Sequence, residues 1–281
     1  KSLNIYIETR RTNKQMLKLF IATTLLALTL AASFPDCKGT ENTHPLITDE
    51  PKFLNSTKNG AKYYIESKDD NSSFVYIGIF EGTPYEMGYA YGELFKEEIT
   101  YVMEAMGIVA QFATDSFPQW MQDLNMDDSD LVDFALRLEQ IATGRYTPQH
   151  FFDEMKGMAD ATGLSYDQIY KINLFPEASR GQCTVAGFWG PATPDGNMIQ
   201  LRSLDWNPSA PMNMYPVISI QRANLPGANQ YANFGYAGVI GALSGYSGKV
   251  AISEASWLPE LDNETSIFGI PWMFALRDIL Q

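Results

Sequence analysis

Gly181-Gln182-Cys183-Thr184-Val185, followed by Gly196-Asn197-Met198-Ile199-Gln200-Leu201-Arg202-Ser203-Leu204-Asp205-Trp206, is the stretch on which the reading of this chain turns. It ties one of only two cysteines to an Asp195-Gly196 turn signal and then to a strand that carries an arginine and an aspartate. Asp-Gly favours a hairpin because both turn positions tolerate positive φ, and period-two patterning predicts arms over Cys183–Gly190 and Asn197–Asp205. A cysteine becomes a hydrolytic nucleophile when a base takes its proton. An N-terminal cysteine finds that base in its own α-amino group, whose ordinary pKa is about 7.7–8.0. Such chemistry needs no histidine. The chain has only His44 and His150, neither in a recognisable motif, and His150 falls in the first turn of an expected helix, where packing is the expected role.

Upstream of this stretch the pattern is helical. Thr83-Pro84-Tyr85-Glu86 is a capping box with proline at the first helical position. Apolar Met87, Tyr91, Leu94, Phe95, Val102, Met106 and Val109 then recur at threes and fours, predicting one helix from Pro84 to near Ala110. Gly88 and Gly92 inside it each cost about 1 kcal/mol, which predicts the close approach of another backbone. Further helices are expected from Leu131 to near Gly144, from Thr147-Pro148 to Gly163, and, shorter, after Ser165-x-x-Gln168. Asp127-Asp128-Ser129-Asp130 reads as a solvated turn and helix N-terminus, where carboxylates suit the dipole. Phe74–Phe80 reads as a buried strand. Tyr215–Arg222, Tyr231–Tyr236 and Lys249–Glu254 read as strands between Gly-rich turns, and a last helix starts near Ile270. Residues 33–73, broken by Pro35, Pro45, Pro51 and Gly60, read as a loosely ordered leader. The expected class is α+β, a helical segment followed by antiparallel sheets.

A chain of 281 residues with 45% hydrophobic content buries one large core or two modest ones, which excludes disorder and a disulfide miniprotein. Twenty basic against 33 acidic side chains give a formal charge of −13, which repels phosphate backbones, so nucleic acid is not an expected partner. The N-terminus carries Lys14 and Lys18 around Met16, then an apolar run from Leu19 to Ala32 that ends in small residues before Ser33. That run has the length of a signal-peptide core and is short for a membrane span, so no integral span is expected once it is removed; a signal anchor is the alternative. Residues 1–15 precede Met16 and read as an over-extended frame. The expected organisation is therefore 1–32 as over-extended N-terminus plus signal peptide, 33–182 as a mostly helical pro-segment, and 183–281 as the start of a catalytic segment. The last helix is still periodic at Gln281, which reads as a truncated record.

Export, to the cell exterior or the lysosome, is supported by glycosylation sequons at Asn55, Asn71 and Asn263, whereas Pro208 disqualifies Asn207. In an exported protein Cys37 and Cys183 are also candidates for a disulfide, and Arg202 with Asp205 for an ordinary surface ion pair. Metal catalysis lacks ligands, with no HExxH and two histidines, and no G-x-S-x-G is present. No cofactor is expected.

Cys183-Thr184, the Asp195-Gly196 turn and Arg202-x-x-Asp205-Trp206 resemble the opening of the mature chain in linear-amide Ntn (N-terminal nucleophile) hydrolases. That group includes the peptidase C45 acyltransferases, among them acyl-CoA:6-aminopenicillanic acid acyltransferase, with bile salt hydrolase, penicillin V acylase and acid ceramidase. Upstream, Gly82-Thr83-Pro84-Tyr85-Glu86-Met87-Gly88 and Gly92 resemble the C45 propeptide helix. Downstream, Ala237-Gly238-Val239-Ile240-Gly241, Gly245-Tyr246-Ser247 and Ile252-Ser253-Glu254 resemble its next hairpin. From about Phe74 onward the chain also resembles uncharacterised secreted C45-like proteins of the dcd1 type.

The resemblance implies an αββα sandwich and a precursor that cleaves itself between Gln182 and Cys183. The products would be an α chain of roughly 33–182 and a β chain from Cys183, which partner each other. Arg202 would line the pocket beside the nucleophile, and Asp205 would bind the new α-amino group. Residues three apart face opposite sides of a regular strand, so a bulge or the strand end is expected between them. Ser253, Glu254 and Tyr236 are candidates for the oxyanion site or pocket, with Tyr246, Trp189 and Trp206 as further wall candidates. The implied activity is amide hydrolysis or acyl transfer on a small N-acyl or lipid-like substrate through a thioester. A phospholipase B-like ester hydrolase and an inactive, uncleaved binding protein are the alternatives.

Overall fold

The computed structural model describes residues 49–66, 74–114, 117, 119–178, 182–205, 211–248, 250–255 and 268–281. The expected signal peptide, His44, Cys37, Asn71, Asn263 and Trp206 lie outside them. Nine strands and seven α-helices are described. β1 (Lys52–Thr57), β2 (Gly60–Glu66) and β3 (Phe74–Gly82) come first. The helices α1 (Pro84–Leu94), α2 (Lys96–Ala113), α3 (Gln119–Gln122), α4 (Asp128–Thr143), α5 (Gln149–Thr162) and α6 (Tyr166–Ala178) follow. Then come β4 (Gln182–Phe188), β5 (Ile199–Asp205), β6 (Pro216–Ala223), β7 (Tyr231–Tyr236), β8 (Ser244–Ser247), β9 (Ala251–Ser253) and α7 (Trp272–Leu280).

Seven strands form one sheet in the order β1-β2-β3-β6-β7-β8-β9, and β4 with β5 forms a separate two-stranded sheet. All pairings are antiparallel except β3 with β6, which runs parallel from Tyr76↔Val217 to Gly82↔Ala223. The six intervening helices supply the long crossover that a parallel pair requires. Two expectations change here. Residues from Lys52 to Glu66 are not a loose leader but a hairpin, whose β2 carries Tyr63, Tyr64 and Ile65 in register with Ile77, Tyr76 and Val75. Aromatic and β-branched side chains outweigh the Pro and Gly breakers nearby. The boundary at 182/183 is consequently not a structural one, because the segment before it contributes three strands to the same sheet as the segment after it.

One face of the large sheet packs on the helices. Phe80 stacks on Tyr91 at 4.7 Å, Tyr76 meets Phe95 edge-on at 5.8 Å, and both Phe80 and Phe95 are fully buried. The capping box forms as expected, with the Glu86 N–H donating to Thr83 and Glu86 accepting from the Thr83 N–H. The single helix expected from Pro84 breaks at Phe95, which has non-helical φ −120° and ψ 23°. Lys62 Nζ donates to the Leu94 carbonyl there at 3.0 Å, partnering a group near the helix end.

Gly88 and Gly92 answer to the predicted backbone approach. A Cβ on Gly88 would lie 1.9 Å from the Glu154 carbonyl oxygen, one on Gly157 would lie 2.1 Å from the Tyr85 oxygen, and one on Gly92 2.7 Å from the Met158 oxygen. Helices α1 and α5 thus cross through facing glycines, a proximity only residues without Cβ permit. Asp127 caps α4, accepting from the Asp130 N–H at 3.0 Å. Ser165 and Gln168 cap α6, which runs on through Pro176 and is longer than expected. His150 packs on the Phe151 ring at 4.2 Å, with Nε2 3.2 Å from Asp278, in keeping with a packing role.

A buried polar web joins α5, α7 and the sheet. Arg277 and Glu154 are 0% and 1% exposed and meet at 2.6 Å; Arg277 also donates to the Ile240 carbonyl at 3.1 Å, and Tyr231 donates to Gln221, which donates to Glu154. The opposite face of the large sheet carries Ile77, Ile79, Ile218 and Ile220, half-buried in adjacent strands. At its β9 edge this face meets the β4–β5 sheet through Gln200 with Ser253 and Arg202 with Glu254.

Candidate active site

The two sheets face each other across a cavity of about 750 Å³. Met198, Gln200, Arg202 and Leu204, alternate residues leading into and along β5, supply one wall. Phe234 and Tyr236 of β7, Ser244 and Tyr246 of β8, and Ala251 and Ser253 of β9 supply the other. Asn213 and Leu243 also line it. The lining is mostly apolar with a few convergent polar groups, the usual composition of a small-molecule site.

Cys183 sits in β4 opposite Leu204, two residues along the ladder from the Val185↔Arg202 pair, so the cysteine and arginine share a sheet face. Its thiol donates to Glu254 Oε2 at 3.0 Å. Arg202 Nη2 donates to Sγ at 3.0 Å and to the same Glu254 oxygen at 3.0 Å, and its Nε donates to the Glu254 carbonyl at 3.4 Å. Thiol, guanidinium and carboxylate thus form a closed triangle with charged side chains only 11% and 14% exposed. Cys183 is a free thiol; its alternative disulfide partner, Cys37, lies outside the described residues.

Burial pushes the thiol above its ordinary value, and the hydrogen bond it donates to Glu254 pushes the same way, while the Arg202 charge opposes both. Tyr236 is pushed up to about 12 by burial, against the pull of Arg202. Its phenol is therefore neutral across physiological pH and cannot act as a base.

Arg202 lies beside Cys183, as the sequence reading placed it. The bulge thought necessary for Asp205 is absent: the register from Gln182↔Asp205 to Phe188↔Ile199 is unbroken. Asp205 is the last residue of β5 and pairs with Gln182, out of phase with the thiol and next to the Gln182–Cys183 peptide bond. Its side chain lies outside the described residues.

Of the residues expected at the oxyanion site or pocket, Ser253 lines the cavity and Glu254 adjoins Cys183 and Arg202. Glu254 accepts from the thiol and the guanidinium, and an ionised carboxylate has no proton to donate. Ser253 receives the Gln200 amide N–H. Tyr236 and Tyr246 line the cavity as expected, whereas Trp189 does not and is 63% exposed. Gln200 and Phe234 were missed by the sequence reading. Each lies two residues before a named site residue, so the period-two rule pointed to both. The predicted arms also shorten: ten residues, including a 3₁₀ turn at Gly190–Ala192, separate β4 from β5 where a tight Asp-Gly turn was expected. Asn55 is exposed on edge strand β1, accessible as a sequon requires.

No family model matches the chain. It is 32% identical over 273 residues to Protein dcd1A of Dictyostelium discoideum, a match covering 92% of this chain and 60% of that protein. It is also 32% identical over 245 residues to Protein dcd1B of the same organism, covering 85% of this chain and 48% of the relative. An uncharacterised protein of Archaeoglobus fulgidus is 22% identical over 233 residues, covering 73% of this chain and 36% of its own length. The chain is thus similar over most of its length to dcd1-type proteins and spans 60% and 48% of the two Dictyostelium relatives it matches.

Proposed function

We propose that this chain is the precursor of an N-terminal cysteine hydrolase that cleaves itself between Gln182 and Cys183 and then acts on the linear amide of an N-acyl substrate through a Cys183 thioester. The observation that carries this reading is the thiol of Cys183, 3.0 Å from both a carboxylate and a guanidinium at the edge of a largely apolar cavity. In the precursor, Glu254 is placed to take the thiol proton, leaving a thiolate beside the Arg202 charge. Sγ then attacks the Gln182 carbonyl, the C–N bond breaks as the nitrogen is protonated, and the acyl group passes to sulfur. Water hydrolyses that thioester, leaving a carboxylate on Gln182 and a free α-amine on Cys183. The pairing of Asp205 with Gln182 puts its backbone beside the nascent amine.

In the mature form the amine serves as base, the cavity holds the acyl chain, and water or a second amine resolves the thioester. The layers described support an αββα sandwich as far as its first three: helices, the large sheet, and the β4–β5 sheet against its other face. The half-buried Ile77, Ile79, Ile218 and Ile220 continue the apolar surface that a larger second sheet would cover. The three strands contributed by the segment before Cys183 imply that cleavage leaves both chains in one sheet. An export signal and glycosylation at Asn55 accord with a secreted or lysosomal setting.

The raised thiol favours a second reading, an uncleaved binding protein with this fold. Purified protein assayed on N-octanoyl-p-nitroanilide and p-nitrophenyl octanoate separates the cases. Amide turnover that is lost in Cys183→Ala is expected; ester turnover alone points to a lipid ester hydrolase, and no Cys183-dependent turnover of either contradicts the enzyme reading.

A further inference from the structure

Strand pairing divides the cavity between the two sheets into levels. Ser244 of β8 lies opposite both Phe234 of β7 and Ser253 of β9, and Tyr246 lies opposite Ala251. Across the cavity, Arg202 of β5 meets Glu254 and Gln200 meets Ser253. One level therefore holds Cys183, Arg202 and Glu254. The next holds Gln200, Ser253, Ser244 and Phe234. By the same alternation a third holds Met198, Ala251 and Tyr246.

The middle level is polar, although the cavity as a whole is mostly apolar. Gln200 Nε2 donates to Ser253 Oγ, which leaves Gln200 Oε1 as an acceptor and the Ser253 hydroxyl as a donor. Ser244 lines the cavity, and its Oγ is buried with no hydrogen-bond partner among the described residues. A serine hydroxyl moves between staggered positions by one torsion, so it can turn from the wall to a bound group. A buried hydroxyl left unmet is costly, and a ligand atom that meets it recovers the loss as affinity.

Charge narrows the chemistry of that ligand. Among the described residues that line the cavity, Arg202 is the one charged side chain, and Glu254 and Cys183 already engage it. The middle level thus offers no counter-charge to a carboxylate or an ammonium, each of which is costly to desolvate unpaired. It suits a neutral group that both donates and accepts, and a hydroxyl is the smallest of these.

Geometry sets where on the substrate the group must sit. Gln200 stands two residues from Arg202 along β5, roughly 7 Å. An extended chain advances roughly 1.2 Å per bond and covers that separation in about five or six bonds.

We propose that Gln200, Ser253 and Ser244 form a polar subsite that selects acyl groups bearing a hydroxyl about five or six bonds beyond the scissile carbonyl, over plain alkyl chains. This rests on the reading of Cys183 as the acyl acceptor and of the cavity as the acyl pocket. Met198, Ala251 and Tyr246 then meet whatever part of the chain lies beyond the hydroxyl.

The test compares 6-hydroxyhexanoyl-p-nitroanilide with hexanoyl-p-nitroanilide, which differ only in the hydroxyl. For the wild type, kcat/KM should favour the hydroxylated anilide by about fivefold or more, and Ser244→Ala and Gln200→Leu should each remove most of that preference. Binding of the two anilides to Cys183→Ala, measured by isothermal titration calorimetry, reads the subsite without the chemistry and should show the same preference. Tighter binding of the hydroxylated anilide without turnover by the wild type upholds the subsite and removes the hydrolase reading. Turnover without the preference removes the subsite and leaves the hydrolase reading. Equal or weaker binding of the hydroxylated anilide, binding of neither, or a preference unchanged in both variants overturns the proposal. Gln200 is exposed on β5, so Gln200→Leu decides alone where Ser244→Ala does not fold.

Discussion

The thiol of Cys183 is held between two opposing charges, and removing either one has a calculable direction. Glu254→Gln removes the negative charge 3.0 Å from Sγ and replaces the acceptor of the thiol proton with a neutral amide; both influences had pushed the thiol up. Arg202→Met removes the cation that pulls it down from the same distance. At 3.0 Å and an effective dielectric of about 20, one such pair interacts by about 5 kcal/mol before relaxation, and charges of this kind shift neighbouring groups by about 1–3 pKa units. Below the thiol pKa each unit is about tenfold in thiolate, offset in part because a more acidic thiolate is a weaker nucleophile. Alkylation of Cys183 by iodoacetamide at pH 7, followed on its own peptide by mass spectrometry so that Cys37 does not interfere, should accelerate several-fold in Glu254→Gln. It should slow by about tenfold in Arg202→Met, with the double variant between the two. Slower alkylation in Glu254→Gln refutes the triangle as drawn, since it would mean that the carboxylate lowers the equilibrium pKa of the thiol; the part of Glu254 as proton acceptor in the attack on Gln182 is read instead from the rate of self-cleavage.

Other consequences follow from the packing. Arg277→Met strands Glu154 as an uncompensated buried charge and should cost about 3–5 kcal/mol in urea unfolding, of which adding Glu154→Gln recovers a large part. Gly88→Ala puts a Cβ 1.9 Å from the Glu154 carbonyl, so α1 and α5 must separate; a loss of about 2 kcal/mol or more is expected, whereas Gly227→Ala, with open space around it and strained only by its φ of +81°, should cost less. Lys62→Met removes the amine that bonds the Leu94 carbonyl and pairs with Glu98, and its melting temperature should fall by several degrees.

The helical half of the fold was legible because its signals are local. The Thr83–Glu86 capping box, the Asp127 cap and the Gly163 terminus, at φ +82°, each act within one turn of chain. The facing glycines at Gly88 and Gly92 were legible as anomalies, since glycine in a helix interior demands a compensating contact. What escaped was non-local. Nothing near Phe95 in sequence marks the helix break, which is met by Lys62 from another strand. The β1–β2 hairpin was masked by Pro51 and Gly60, and the parallel β3–β6 pair joins residues too far apart for any turn signal.

The same division runs through the site. Cys183 and Arg202 were readable from their strand spacing, but the role of Glu254 depends on β9 folding back against β4 and β5, 71 residues after the cysteine. The bulge invoked for Asp205 came from asking it to reach the thiol. In the observed register its place is beside the peptide bond that would be cut, and no bulge is needed.

The intact mass of the purified protein, compared between wild type and Cys183→Ala, tests the central claim most directly. The account predicts two wild-type chains divided between Gln182 and Cys183, whose masses sum to the precursor plus one water, and a single uncut chain for the variant. A wild-type protein that remains one chain, indistinguishable from Cys183→Ala apart from the substitution, would contradict it.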